Sequence, residues 1–385
     1  MKKISTIITI LFIILIYIPK IYSGEIDISA KSVDLSYKNS SNYEHSNSKK
    51  SITSLSYGLN ISLNYTDSNI IFNNPVQFSK EFNEEFDDYK IINISPKIKY
   101  ISNQINIFAG GIFNKNYEDF EVGISNMKTD YYMRGFHTGF SKNIFNNSEI
   151  EMNFNYKDLD YKKIMYSDRK EKSVSIIFSN NFYGKTSLIF KTIYTDIVYD
   201  FEDLQDNKEY SLSAGFKGNL SDKVEGTSEF IVQRKNYVSA EDVTKTLFNF
   251  SINTSLTKKL YLFMNYNFDI CENYILEYDT SATLSYDNRY YELSEFKIKL
   301  TYKFNEYQNI NFTSKFSRKN YSDLTDIYPV DKLLDYNAEH NYLFSYKKIK
   351  FNLSTGIRYF TKKVSPEIVS SYDGYDIYTK LSASF

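Results

Sequence analysis

The chain has 385 residues, with 46 basic and 47 acidic side chains and a net charge of −1. That balance excludes a generally basic nucleic-acid binder. A single cysteine, Cys271, excludes an internal disulfide framework and a Cys-rich metal site. Mean hydropathy is −0.44, which would suit a water-soluble protein but also a wall in which every second residue is polar.

The N-terminus opens with Lys2 and Lys3, followed by an almost unbroken apolar run from Ile4 to Ile18 and then by Pro19 and Lys20. This pattern predicts a secretory signal peptide over residues 1–23, with an uncleaved helical anchor as the other reading of the same residues. No Cys follows the apolar run, so a lipoprotein anchor is not expected. Loss of Lys2, Lys3 and Lys20 leaves 43 basic against 47 acidic residues, a net charge of −4. After Ser23 no stretch is long and apolar enough for a transmembrane helix.

Residues 24–38 alternate in two phases, Ile26, Ile28 and Ala30 in one and Val33, Leu35 and Tyr37 in the other. Within 24–50 they read as an extra N-terminal strand or as a lead-in. From Ile52 onward, alternation is continuous. Leu55, Tyr57, Leu59, Ile61 and Leu63 alternate with Ser56, Gly58, Asn60 and Ser62. The same period recurs around Ile92–Tyr100, Ile150–Tyr156, Phe248–Leu256, Phe296–Phe304 and Phe351–Tyr359. One face of each strand is apolar and the other polar. The strands run about 10 to 14 residues, longer than the 5 to 6 usual in soluble sheets.

The intervening segments also alternate. Short turns fall at 102–104, 181–184, 219–222, 257–259, 305–307 and 347–349, and longer, more acidic loops at 67–88, 115–128, 161–170, 200–207, 321–335 and 363–371. Counting back from the C-terminus with this alternation predicts about 16 strands, or 18 if residues 24–38 and 70–82 add a hairpin. On the lower count residues 273–292 form one long loop. Only 5 Pro residues interrupt the chain, as long strands require. With only 13 Gly residues and strict period two, a β-helix is disfavoured. No linker or domain boundary is evident.

The last strand, Tyr375 to Phe385, places Tyr375, Ile377, Thr379, Leu381, Ala383 and Phe385 on one face. A terminal Phe preceded by apolar residues at every second position resembles the final strand of bacterial outer-membrane β-barrel proteins of porin-like type. The resemblance implies an all-β, closed, antiparallel, up-and-down transmembrane barrel in a Gram-negative-type outer membrane. It implies outer-membrane lipid and the barrel-assembly machinery as partners, with Phe385, Ala383 and Leu381 as the assembly signal. Closure also follows from physics, because an open sheet edge in lipid leaves backbone groups unsatisfied.

The polar face supplies the candidate pore lining: Lys97, Lys99, Glu151, Lys191, Lys217, Glu229, Lys235, Glu295, Lys297, Lys299, Lys303 and Lys315. A mixed-charge interior suits a water-filled passage for small hydrophilic solutes. The lysines of 296–316 would attract anions locally, or else pair across the wall. The histidines His45, His137 and His340 lie beside no nucleophile–orienter constellation, and no catalytic residue is expected. The acidic clusters around Glu81–Asp88 and Asp200–Asp206 lack EF-hand spacing. No metal, cofactor or nucleic-acid partner is expected. The expected function is a passive diffusion channel. A structural or export barrel of an envelope complex, such as polysaccharide export or a cytochrome sheath, is the alternative.

Overall fold

The computed structural model describes residues 25–41, 51–83, 89–102, 104–122, 125–145, 147–162, 168–183, 185–200, 206–238, 242–272, 277–278, 284–285, 290–321, 330–346, 349–365 and 372–384. Residues 1–23, where a signal peptide is expected from the sequence, and His45 and Phe385 lie outside them. The strands in chain order are β1 (Glu25–Ser41), β2 (Ser51–Thr66), β3 (Ile70–Asn83), β4 (Tyr89–Ile94), β5 (Lys97–Ile101), β6 (Ile105–Val122), β7 (Ser125–Phe145), β8 (Ser148–Tyr161), β9 (Arg169–Tyr183), β10 (Thr186–Tyr199) and β11 (Asn207–Ser221). They continue as β12 (Val224–Tyr237), β13 (Val243–Ser255), β14 (Leu260–Glu272), the short β15 (Glu277–Tyr278) and β16 (Leu284–Ser285), β17 (Tyr290–Lys303), β18 (Gln308–Tyr321), β19 (Val330–Tyr346), β20 (Ile349–Ser365) and β21 (Tyr372–Ser384).

All but β15 and β16 form one 19-segment antiparallel sheet, closed by pairing of β1 with β21. Segments β4 and β5 are two halves of one course. Val76 pairs with Ile94 and Asn73 with Lys97, so the register against β3 runs unbroken past Pro96. Proline lacks an N–H, but its carbonyl still accepts from Gly111 N–H at 2.9 Å. The barrel therefore has 18 courses, not about 16. The lower count fails at β1 and β3. Residues 70–83, read in part as loop, pair along their length with β2, and the alternation of β1 changes phase because of a bulge between Ala30 and Ser32. Residues 273–292 are not one loop either, since β17 already begins at Tyr290 and a two-stranded hairpin sits at β15–β16. The polar stretch 115–128 continues β6 and β7 as an extended hairpin to Val122 and Ser125. Backbone pairing there does not need an apolar face.

Apart from the short β6–β7 connection, the short connections gather at one end of the barrel, the turn rim, and the longer ones at the other, the loop rim. The outer face is apolar and exposed: Leu35 is 50% exposed, Leu212 61%, Phe230 60% and Ile357 51%. In water a continuous belt of this kind would be an aggregation surface. The inner face is lined mainly by Ser, Thr, Asn and charged residues. Its hydrogen bonds run from strand to strand, as from Thr227 to Ser251 at 2.8 Å and from Ser354 to Asn341 at 2.6 Å.

Candidate functional site

Strand parity places all twelve lining candidates on the inner face, opposite the exposed apolar residues. Lys97 and Lys99 alternate with Ile98 and Tyr100, which are 49% and 45% exposed. Lys191 follows Phe190, Glu229 precedes Phe230, and Lys315 precedes Phe316. Lys297, Lys299 and Lys303 share the inner face of β17 with Glu295. Leu381 and Ala383 lie on the outer face at the closing seam, paired with Leu35 and Val33.

The inner charges divide by their partners. Lys99 and Lys217 near the turn rim, and Lys297 midway along β17 directly across from Lys315, have no carboxylate within ion-pair distance among the described residues. Lys97 lies over the Phe108 ring at 4.2 Å and Lys303 over Tyr261 at 4.4 Å. Elsewhere on the wall, cations find acids. Lys191 meets Glu229 at 3.5 Å, Lys235 meets Glu209 at 3.7 Å, and Lys315 pairs with Glu295. Glu151 accepts from Asn153 at 2.7 Å.

The densest network was not picked out by sequence reasoning. Arg358 on β20 forks onto Asp335 at 2.7 Å and reaches Asp376 at 3.5 Å. Lys38 of β1 meets the same Asp376 at 3.2 Å, and Lys380 meets Asp34 at 3.5 Å. Tyr378 donates to Glu339 at 2.9 Å. Its ring lies over Gly356, where any Cβ would fall 2.5 Å from the ring. Alternation along each strand is consistent with an inner position for these residues; only the register shows that they converge beside the closing seam.

Near the loop rim three tyrosines occupy equivalent inner positions at equal intervals along the chain: Tyr161, Tyr199 and Tyr237, each at most 7% exposed. Arg169 sits 6.0 Å from the rings of both Tyr161 and Tyr199. The backbone N–H groups of Tyr161 and Tyr199 donate to Asp168 and Asp206 at 2.6 and 2.7 Å. Partial burial pushes the Asp168 carboxyl above its ordinary range. The Tyr161 N–H opposes that rise, and the charges of Asp160, Asp200 and Asp158 add to it. The equal spacing of these three tyrosines was the sequence signal for this layer.

His137 lies on the inner face against Gly110, whose missing side chain leaves room for the imidazole, and beside Phe108 at 5.8 Å. His340 is on the outer face, paired with Thr355 and Ile310. The two histidines therefore lie on opposite faces of the wall. Among the described residues no group of three or more His, Cys, Asp or Glu is placed to hold a metal ion.

One sector of the inner wall is dry. Tyr237, Val243, Leu247 and Ile270 form a buried cluster with Ile231 and Phe268. It lies where β13 and β14 meet, and there the ladder is incomplete: only six pairs join them, from Phe250 with Tyr266 to Ser255 with Tyr261.

A closed, two-faced barrel of 18 antiparallel courses is the fold of outer-membrane porins. The OccK2 (OpdF) protein of Pseudomonas aeruginosa matches with a TM-score of 0.58 at 11% identity, over 93% of this chain and 98% of that one. It has also been crystallised in complex with glucuronate. OpdK of the same organism, crystallised with vanillate, matches at 0.55 with 11% identity, over 93% of this chain and 99% of that one. OccAB3 of Acinetobacter baumannii matches at 0.52 with 11% identity, over 93% and 99%. No protein-family model and no curated protein sequence matches the chain. At this identity the likeness is one of fold.

Proposed function

We propose that the chain is an outer-membrane porin-like channel, exported by a signal peptide over residues 1–23 and passing small hydrophilic solutes by diffusion. The observation that carries this reading is the two-faced wall. An exposed apolar belt on a sheet without edges is stable in lipid, and a polar inner face keeps water in the passage. The barrel-assembly machinery reads the terminal strand, with Leu381, Ala383 and Phe385 as the signal. The protein acts by selection and diffusion, not by bond chemistry.

The lysines of the inner wall that lack an acidic partner, Lys297 among them, give the passage a local positive field, which favours small organic anions. Glucuronate and vanillate, the compounds crystallised with the two Pseudomonas barrels, are of that class and are the first solutes to try. Planar-bilayer recording tests the reading. Purified protein should open stable conducting steps with a preference for anions, and charge reversal at Lys297 and Lys299 (Lys→Glu) should lower that preference roughly several-fold. A folded, heat-modifiable barrel that never conducts would sink it.

A further inference from the structure

The incomplete ladder between β13 and β14 separates two edges that each remain paired on their other side. β13 stays zipped to β12 up to Val243, and β14 stays zipped to β17 up to Glu272. The loop-rim end of β14 lies inside β13. Phe268 and Ile270 share the parity of Leu260 and Leu262, whose partners Tyr302 and Leu300 are exposed on the outer face. Yet Ile270 is 3% exposed and packs with Leu247, 2% exposed, on the inner face of the wall. Three polar contacts hold this position. Lys235 Nζ donates to Ile270 O at 3.2 Å, Asn249 Oδ1 accepts from Phe268 N–H at 2.9 Å, and Lys245 meets Glu292 of β17 at 2.7 Å.

The sequence equips the same residues for a second position. Continuing the observed register would pair Asn249 with Asn267, Phe248 with Phe268, Leu247 with Asp269 and Thr246 with Ile270. Phe268 and Ile270 would then join Phe248, Phe250 and Tyr266 on the apolar exterior, where Phe250 and Tyr266 already stack at 5.9 Å. The backbone edges would be satisfied by each other, as a wall in lipid requires. The observed position also carries a cost of its own. Gln233, 6% exposed, has its Oε1 buried without a hydrogen-bond partner beside Lys245.

We propose that the loop-rim end of β14, residues 267–272, moving with the end of β17 to which it is paired, is a gate with two seats, one inside the passage and one in the wall. In the observed seat it narrows the lumen; in the wall seat it completes the ladder and widens it. Packing of Ile270 on Leu247 competes with backbone pairing, and the Lys235 and Lys245 contacts hold the inner seat. The functional part rests on the reading of the chain as a pore.

Disulfide trapping tests it on the full-length barrel in liposomes, with Cys271→Ser as background. Leu247→Cys with Ile270→Cys traps the inner seat, and Thr246→Cys with Ile270→Cys traps the wall seat. Both pairs should oxidise. The wall-seat lock should raise single-channel conductance several-fold over the inner-seat lock, and reduction should bring the two together. Adding Lys245→Gln to the wall-seat pair should speed its oxidation several-fold without a new cysteine in the core. The gate is refuted if the wall-seat pair stays reduced while the inner-seat pair oxidises, if both locks conduct alike, or if Lys245→Gln leaves the rate unchanged. Oxidation of both pairs in a barrel that passes no current would leave the two seats standing and refute the pore reading instead.

Discussion

The barrel has two unusual seams, and they behave oppositely. At the β21–β1 seam the two ends of the described wall meet, and nine consecutive pairs run from Ser32 with Ser384 to Ser40 with Asp376. At the β13–β14 seam, in the middle of the chain and joined by a tight turn, pairing stops after six. Covalent proximity therefore does not decide which seam is zipped. What differs is the inner face. Across β21–β1 it is charged and locked in register, with Lys38 on Asp376 and Lys380 on Asp34. Across β13 apolar residues interrupt the polar lining, with Leu247 and Val243 buried beside Ile231 and Tyr237. A charged inner face offers a neighbouring strand nothing to fold onto. A dry one offers burial at roughly 25 cal/mol per Å² of apolar surface, enough to compete with a few ladder bonds whose net worth is about 1 kcal/mol each.

This contrast can be broken from either side. The largest effect is expected at the closing seam's outer face. Leu381→Asp sets a carboxylate among Leu35 and Leu353, and together with removal of Phe385 it should abolish the heat-modifiable folded band in outer-membrane fractions. Persistence of that band at the wild-type level would show that the terminal strand is not the assembly signal. Next, Leu247→Ala removes the floor of the dry seat and should destabilise the inner position by about 2–5 kcal/mol. Faster hydrogen exchange across residues 267–272 would register it, and unchanged protection would show that packing does not hold β14 inside. Arg358→Met leaves Asp335 and Asp376 facing each other. With water reaching the lumen the cost should be about 1–2 kcal/mol, read as a lower urea midpoint that Arg358→Lys restores in part.

The smallest effect concerns Asp168 at the loop rim, between the two seams. Its folded-state pKa is raised above the ordinary 3.8, so the folded chain binds more protons than the unfolded one in the window just above that value. Stability therefore falls as pH rises through the window, and at neutral pH the ionised carboxylate is a net cost. Asp168→Asn keeps an acceptor for the Tyr161 N–H and removes the charge. It should stabilise the barrel by a few tenths of a kcal/mol near neutral pH, after solvent screening, and make no difference once pH falls below the unfolded value. A destabilised variant at neutral pH would contradict that sign.

Much of the wall was legible in the chain because a strand's two faces are written at period two, and a closed barrel needs no long-range code beyond that alternation. Lys297, Lys299 and Lys315 could be set on the inner face from neighbours such as Phe296, Ile298 and Phe316. Strand number was less legible. The bulge in β1 shifts its phase, and Asn73, Asn74 and Pro75 give β3 the look of a loop although its backbone is paired. The Arg358 network escaped notice because Asp335, Arg358 and Asp376 are far apart in sequence, and only the register sets them side by side.

By itself, the sequence determined the class of wall: long strands, an apolar exterior, a polar interior and a chain whose ends can meet. These follow from local alternation, which each strand carries independently of its neighbours. Tertiary structure alone decided which charges pair, how many courses close the ring, and that Ile270 turns inward although its parity points outward. Those outcomes depend on contacts between strands, where burial on Leu247 and pairing with Thr246 compete for the same residue.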